Sequence, residues 1–338
     1  MDTVLVTGAS GFIGAHCILE LLRAGYQVRA SVRSQTRKAA LFALLCKHMP
    51  NTSIECVTAS LDHNAGWDKA VAGCTYVLHL VSPLPTVQPK EADELIRLAR
   101  DGALRVLKAA LQAGVKRLVM TSSQAAVCGS RVTCPEHVYN EDDRTDLDDP
   151  SVSSYNRSKT IAERAARDFV AENGGIEFVT VNPGLVCGPV LESKSNTSLE
   201  FVKRLLDGSL FMIPPVGYEV VDVRDVAVLH RLAMEHPDAA GGRFMASSEF
   251  LWLHDMAAIL RDNLGNRAKH VTSRRAPIWL MRGLALFDPA TRSILPDLNQ
   301  YRPVDHSTAT RLLGWEPRPA KQTVIATAES LLNYRVVR

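Results

Sequence analysis

The strongest constraint on this chain lies in its first two dozen residues. A short run of aliphatic and β-branched residues at 3–7 passes directly into TGASGFIG, and from there into helical spacing over 13–24. A glycine-rich turn between a strand and a helix lets the backbone approach a pyrophosphate, whose charge is held by the free N–H groups of the helix N-terminus. The glycines fall at 8, 11 and 14, a G-x-x-G-x-x-G spacing rather than the commoner G-x-G-x-x-G. Thr7, Gly8, Ser10, Gly11, Phe12, Ile13 and Gly14 are therefore candidates to hold a dinucleotide. An ordinary tight turn is the competing reading.

The rhythm set here continues. Apolar runs of strand length recur at 28–32, 54–57, 76–80 and 118–121, separated by helical spacing at 37–47, 65–72 and 91–113. A helix over 154–172 leads to a sixth strand at 178–181, which Pro183 and Gly184 stop. Strand and helix in alternation imply an α/β fold, a doubly wound parallel sheet buried on both faces. Beyond residue 184 prolines at 189, 214, 215, 277, 289, 296, 303, 317 and 319 punctuate shorter segments, with no clean strand alternation. The expected organisation is a dinucleotide-binding Rossmann domain over 1–184, to which 220–247 returns. Residues 185–219 and 248–338 would then form a smaller substrate-binding lobe.

The second strand points to the cofactor. Where a dinucleotide with a free ribose 2′-hydroxyl needs an acidic partner, the sequence reads VRASVRSQTRK, and no Asp or Glu occurs between Glu20 and Glu55. Arg33, Arg37 and Lys38 stand there instead. A guanidinium takes a phosphate through two parallel N–H bonds, so the expected cofactor is NADP in its reduced form, NADPH, rather than NADH. Solvated charges at a helix start are the plainer alternative. Asp62, with Leu61 beside it, suits an adenine amino group or else the N-cap of the next helix. Leu80 and Ser82, in LHLVSP, fall where a ligand would cross the carboxyl edge of the sheet.

Charge and cysteine usage narrow the partners. With 39 Lys plus Arg against 36 Asp plus Glu the formal charge is +3, too balanced for nucleic acid or an anionic membrane as the main partner. The apolar stretch IWLMRGLALF is interrupted by Arg282 and is shorter than the roughly 18–20 residues of a spanning helix. The 7 cysteines are scattered singly, indicating neither a disulfide framework nor a metal site. Because VLVTG already begins at position 4, no room is expected ahead of it for a signal peptide, and a cytoplasmic protein follows.

The reactive groups are expected downstream. Tyr155 and Lys159, in YNRSK, lie one turn apart on one face of a helix. A phenol ionises near pH 10, and a nearby ammonium favours the phenolate, fitting it for acid–base work at neutrality. The fifth strand ends in VMTSSQAAV, which puts Thr121, Ser122 and Ser123 at the carboxyl edge. A serine hydroxyl there can hold a carbonyl oxygen as charge develops on it. Ser123 is the preferred catalytic serine, since Ser122 suits a cap or turn.

Taken together, TGASGFIG, the arginine after the second strand, TSS, YNRSK, NPG at 182–184 and DVRDVA at 222–227 resemble the extended short-chain dehydrogenase/reductase superfamily. Within it the chain is most similar to the dihydroflavonol 4-reductase, cinnamoyl-CoA reductase and aldehyde (methylglyoxal-type) reductase group. The resemblance is specific through the first 230 residues and loose over the last hundred. It implies a Ser123, Tyr155 and Lys159 catalytic triad, a turn of Pro183, Gly184, Leu185 and Val186 beside the nicotinamide, and NADPH as cofactor. The implied activity is reduction of an aldehyde or ketone to an alcohol by reversible hydride transfer. A hydroxysteroid-type dehydrogenase or an NAD(P)-dependent epimerase/dehydratase is the alternative within the superfamily, and a non-catalytic dinucleotide sensor the alternative outside it. The stretch between serine and tyrosine is short and acid-rich (Glu136 to Asp149), reads as a solvated loop, and does not carry flavonoid specificity over. An apolar or aromatic substrate is expected, with Phe211, Met212, Tyr218, Trp252, Trp279, Met281 and Phe287 as candidate lining, in a monomer or homodimer.

Overall fold

In the computed structural model residues 2–81, 92–194 and 196–337 are described. The first half builds strand by strand as its apolar runs require: β1 (Thr3–Thr7), α1 (Phe12–Arg23), β2 (Gln27–Val32), α2 (Gln35–His48), β3 (Glu55–Thr58), α3 (Trp67–Val71), β4 (Tyr76–His79), α4 (Ala92–Gln112), β5 (Arg117–Thr121), α5 (Ser154–Asn173) and β6 (Glu177–Pro183). Side chains alternate across the parallel sheet. Leu5, Val77, Leu118 and Met120 point to the layer of α4 and α5, where they meet Val106, Leu107, Ala162 and Ala166. Val4, Val6, Leu78 and Val119 face the opposite layer, which contains Ile18 and Leu21 of α1.

From residue 185 the chain makes a second, smaller sheet while returning repeatedly to the first. β7 (Leu185–Cys187), α6 (Glu200–Leu206), β8 (Gly217–Asp222), α7 (Val223–Glu235), β9 (Arg243–Ala246) and β10 (Glu249–Trp252) follow in order. β9 pairs in parallel with β6 and completes a seven-stranded sheet of order β3-β2-β1-β4-β5-β6-β9. β10, β8 and β7 form the three-stranded sheet. The returning segment therefore splits: β8 stays in the small sheet, while α7 and β9 join the large one. Strand content past 184 escaped sequence reading because β7, β9 and β10 are only 3 or 4 residues long, too short to show alternation.

α8 (Leu253–Leu264), α9 (Ile278–Leu284), α10 (Pro289–Ser293), α11 (Ser307–Leu313) and α12 (Ala320–Asn333) end the fold. α6, α8 and α12 pack a second core through Val202, Leu205, Met256, Leu260, Val324 and Leu331. α11 does otherwise. Its Ala309 and Leu313, with Trp315 just beyond, belong to the first core beside α7, although sequence put this segment in the second lobe. Trp315 Nε1 donates to the Asp225 carbonyl at 2.9 Å, and the Arg318 amide donates to Asp225 Oδ2 at 2.8 Å. Among the described residues no helix is long and apolar enough to cross a membrane.

Candidate active site

The sheet order reverses between β1 and β4, so the crevice at their carboxyl ends is where a ligand of an open α/β sheet binds. Gly8 has φ +66°, and a Cβ there would lie 2.9 Å from the Val81 amide nitrogen; one at Gly14 would lie 2.2 Å from the Gly8 carbonyl oxygen. Gly11 is the N-cap of α1 and offers no side chain to the helix N–H groups, which stay open to an anion. Thr7 ties the two edges together: its Oγ1 lies 3.0 Å from His79 Nδ1 and accepts from the Leu80 amide at 3.1 Å. Ser10 is half-buried in the turn, and Phe12 and Ile13 pack behind it. A backbone cradle that any Cβ would fill, ending in an uncapped helix, fits a pyrophosphate.

Arg33 follows β2 directly and is exposed, as is Lys38; Ser34 caps α2 by accepting from the Arg37 amide. None of the three cations is in an ion pair among the described residues, so they are available to a phosphate. Asp62 is exposed and accepts from Ser60 Oγ at 3.0 Å, while the N-cap of α3 is Gly66. The capping alternative for Asp62 is thereby removed. Leu61 packs against Gly102 of α4. Ser82 lies outside the described residues.

At the carboxyl end of β5 the two serines part company. Ser122 is buried and its hydroxyl donates to Glu163, whereas half-buried Ser123 caps a 3₁₀ turn (Gln124–Ala126), accepting from the Ala125 amide at 3.1 Å, and lines the same cleft as Tyr155. Thr121 is buried against His230, 2.7 Å away. Lys159 Nζ lies 6.0 Å from the centre of the Tyr155 ring and donates to the Ser122 carbonyl at 3.3 Å. Burial raises the Tyr155 phenol above its usual value, with the Ser123 hydroxyl pulling back against it. The expectation that the ammonium holds this phenol low is corrected: the surrounding protein dominates, and the ammonium is itself desolvated. Burial brings Lys159 down to about 8, with Glu163 opposing. His79, beneath it, is held to about 3 by burial and then by the Lys159 charge, and so is neutral.

Ser123, Tyr155, Pro183, Gly184, Leu185 and Val186 open onto one cleft of about 300 Å³. Its far wall comes from Tyr218 and Glu219 of β8, Phe250 of β10, and Asp297 and Arg302. This wall is more polar than sequence suggested. Of the proposed lining only Tyr218 is there; Phe211, Trp279 and Phe287 are exposed on the surface, and Met281 sits in the second core. Arg302 is paired with Asp297 at 2.8 Å, and burial lifts the Glu219 carboxyl to about 7 although Oε1 accepts from the Val304 amide. Gln124 adds a buried amide nitrogen with no protein partner. These wall residues come from segments far apart in sequence and carry no local motif.

The acid-rich stretch is not simply solvated. Buried Thr145 donates to the Ala125 carbonyl at 2.8 Å, and Arg243 donates to the carbonyls of Glu141 (3.0 Å) and Asp143. The loop thus braces the turn that carries Ser123. Among the described residues no group of His, Cys, Asp and Glu could hold a metal ion.

The chain from residue 4 to residue 245 matches the NAD dependent epimerase/dehydratase family. It belongs to that family. Within it the chain is 36% identical over 244 residues to a cinnamoyl-CoA reductase of Medicago truncatula, covering 71% of this chain and 74% of the relative. It is 31% identical over 349 residues to a bifunctional dihydroflavonol 4-reductase/flavanone 4-reductase of Pyrus communis, covering 99% and 98%. Among solved structures it is similar to Gre2 from Candida albicans in complex with NADPH, with TM-score 0.82, 26% identity and 99% of each chain covered. These relatives make this member of the epimerase/dehydratase family an NAD(P)-dependent oxidoreductase with a Rossmann-like fold.

Proposed function

We propose that the protein reduces a small aldehyde or ketone to an alcohol with NADPH, reversibly. The observation that carries this reading is the pair of hydroxyl residues, Ser123 and Tyr155, on the wall of the same cleft that the Pro183 turn lines. Gly8, Gly11 and Gly14 would hold the pyrophosphate, with Arg33, Arg37 and Lys38 around the 2′-phosphate and Leu61 and Asp62 toward the adenine. The complexes of Gre2 with NADPH support the same cofactor. When bound, the nicotinamide supplies a hydride.

The side chains then divide the remaining work. Ser123 donates a hydrogen bond to the carbonyl oxygen as charge grows there. Tyr155 is the proton donor; its raised pKa keeps the phenol protonated in the cofactor-free protein, the form required for reduction. Lys159 supplies positive charge beneath both and can reach the ribose hydroxyls. Gln124, Glu219 and Arg302 favour a substrate that carries a second oxygen over a plain hydrocarbon aldehyde. NADPH oxidation should be followed with aliphatic and aromatic aldehydes, ketones, 2-oxoaldehydes and 2-oxoesters. Turnover is expected with the oxygenated members; tight NADPH binding with no oxidation across the panel would favour a dinucleotide sensor.

A further inference from the structure

Glu163 is an acidic group buried directly behind the segment that carries Ser123, and both of its oxygens are partnered. It lies one turn beyond Lys159 on α5 and is 2% exposed. Oε2 accepts from the Ser122 hydroxyl and from Asn182 Nδ2, the latter at 2.8 Å. Oε1 is ion-paired with Arg243 Nε at 2.7 Å and Arg167 Nε at 3.4 Å. Asn182 also donates to the Ser123 carbonyl at 3.1 Å, and Lys159 donates to the Ser122 carbonyl. The carboxylate therefore holds the Ser122 hydroxyl directly and, through Asn182, the carbonyl of Ser123. Burial pushes its carboxyl up, but Arg243, Ser122, Arg167 and Asn182 together hold it below the usual carboxylate value, so it is an anion.

We propose that Glu163 is a positioning residue for the reaction: it fixes the backbone at Ser122 and Ser123 and supplies the negative field that keeps the buried Lys159 an ammonium. The role rests on the reductase reading above for its kinetic consequences, but not for its electrostatic ones. Lys159 faces Glu163 and Tyr155 on its own helix, neutral His79 on β4 and the Ser122 carbonyl at the end of β5, with Arg167 and Arg243 behind Glu163. Within that set Glu163 is the only anion. An ion pair needed solely for stability would not require the carboxylate to hold Ser122 and Asn182 as well as the two arginines.

Two substitutions of opposite sign test this. Glu163→Gln keeps the shape and removes the anion, so Lys159 should lose its proton at lower pH; Arg167→Met removes a competing cation and should have the reverse effect. The first readout is the urea midpoint of the cofactor-free protein across about pH 6–10, with Lys159→Met subtracted. The folded-state pKa of Lys159 is depressed, so the unfolded chain binds more protons above about 8 and stability rises with pH from there. That rise should begin about one pH unit lower in Glu163→Gln and higher in Arg167→Met. The second readout is kcat/KM for carbonyl reduction, whose alkaline limb should move the same way, with kcat about 10–100-fold lower in Glu163→Gln. Unmoved profiles, or profiles displaced in the same direction by both variants, would overturn the proposal. If Glu163→Gln does not fold, an unmoved profile in Arg167→Met does so alone; if no carbonyl is turned over, the stability arm still decides.

Discussion

The two ends of the crevice are made in different ways. At the β1 turn, the proposed binding depends on backbone: glycines at 8, 11 and 14 leave room where a side chain would collide, and everything it needs lies within eight consecutive residues. At the far wall of the cleft, recognition depends on side chains from β8, β10 and the segment around 297–302, brought together only by the second sheet. A backbone device tolerates no added atom; a side-chain device, the cations after β2 included, can be re-cut residue by residue. Pyrophosphate binding should therefore be brittle and substrate use plastic.

Substitutions at each end separate the two. Tyr155→Phe, between them, should lower turnover about 100–10,000-fold while NADPH affinity, followed by fluorescence titration, stays near that of the parent. Retained turnover would remove Tyr155 from the chemistry. Gly14→Ala puts a Cβ 2.2 Å from the Gly8 carbonyl; NADPH affinity should fall at least about tenfold, with a stability loss of about 1–3 kcal/mol in urea unfolding. An unchanged affinity would break the contrast at its strongest point. Arg33→Asp should shift the ratio of kcat/KM with NADPH to that with NADH about 10–100-fold toward NADH.

The smallest effect belongs to the plastic end. Glu219 has its carboxyl raised to about 7, so its contribution to stability is present below about 4.5 and is lost as pH rises through 7. Glu219→Gln should flatten that decline in urea midpoints between pH 5 and 8, by about 1–3 kcal/mol at most, and leave NADPH binding alone. An equally steep decline in the variant would mean that another group is responsible.

Legibility in the sequence follows the same division. The strands of the first half announce themselves because each is a continuous apolar run, and the proposed reactive pair Tyr155 and Lys159 because helical spacing puts them on one face. Glu163 obeys that same spacing, four residues past Lys159, and was passed over because a lone acid on a helix normally faces water. Asn182 was visible only as the first letter of NPG. Arg243 begins a strand too short to recognise, and its partners are Glu163, distant in sequence, and carbonyls, which no sequence displays. Arg302 and Glu219 line one cleft only because the chain returns there after the strands and helices from α7 to α10. The aromatic lining was misread for a physical reason as well: Trp279 and Phe287 are apolar, but nothing in the fold covers them.

The docking of Trp315 against α7 has a consequence for synthesis. The proposed nucleotide-binding half is not finished at its last strand, for the face of α7 that meets Trp315 stays bare until that residue has been translated. An amino-terminal unit that forms ahead of the remainder, the usual order during synthesis, would here leave one face of α7 uncovered until Trp315 arrives.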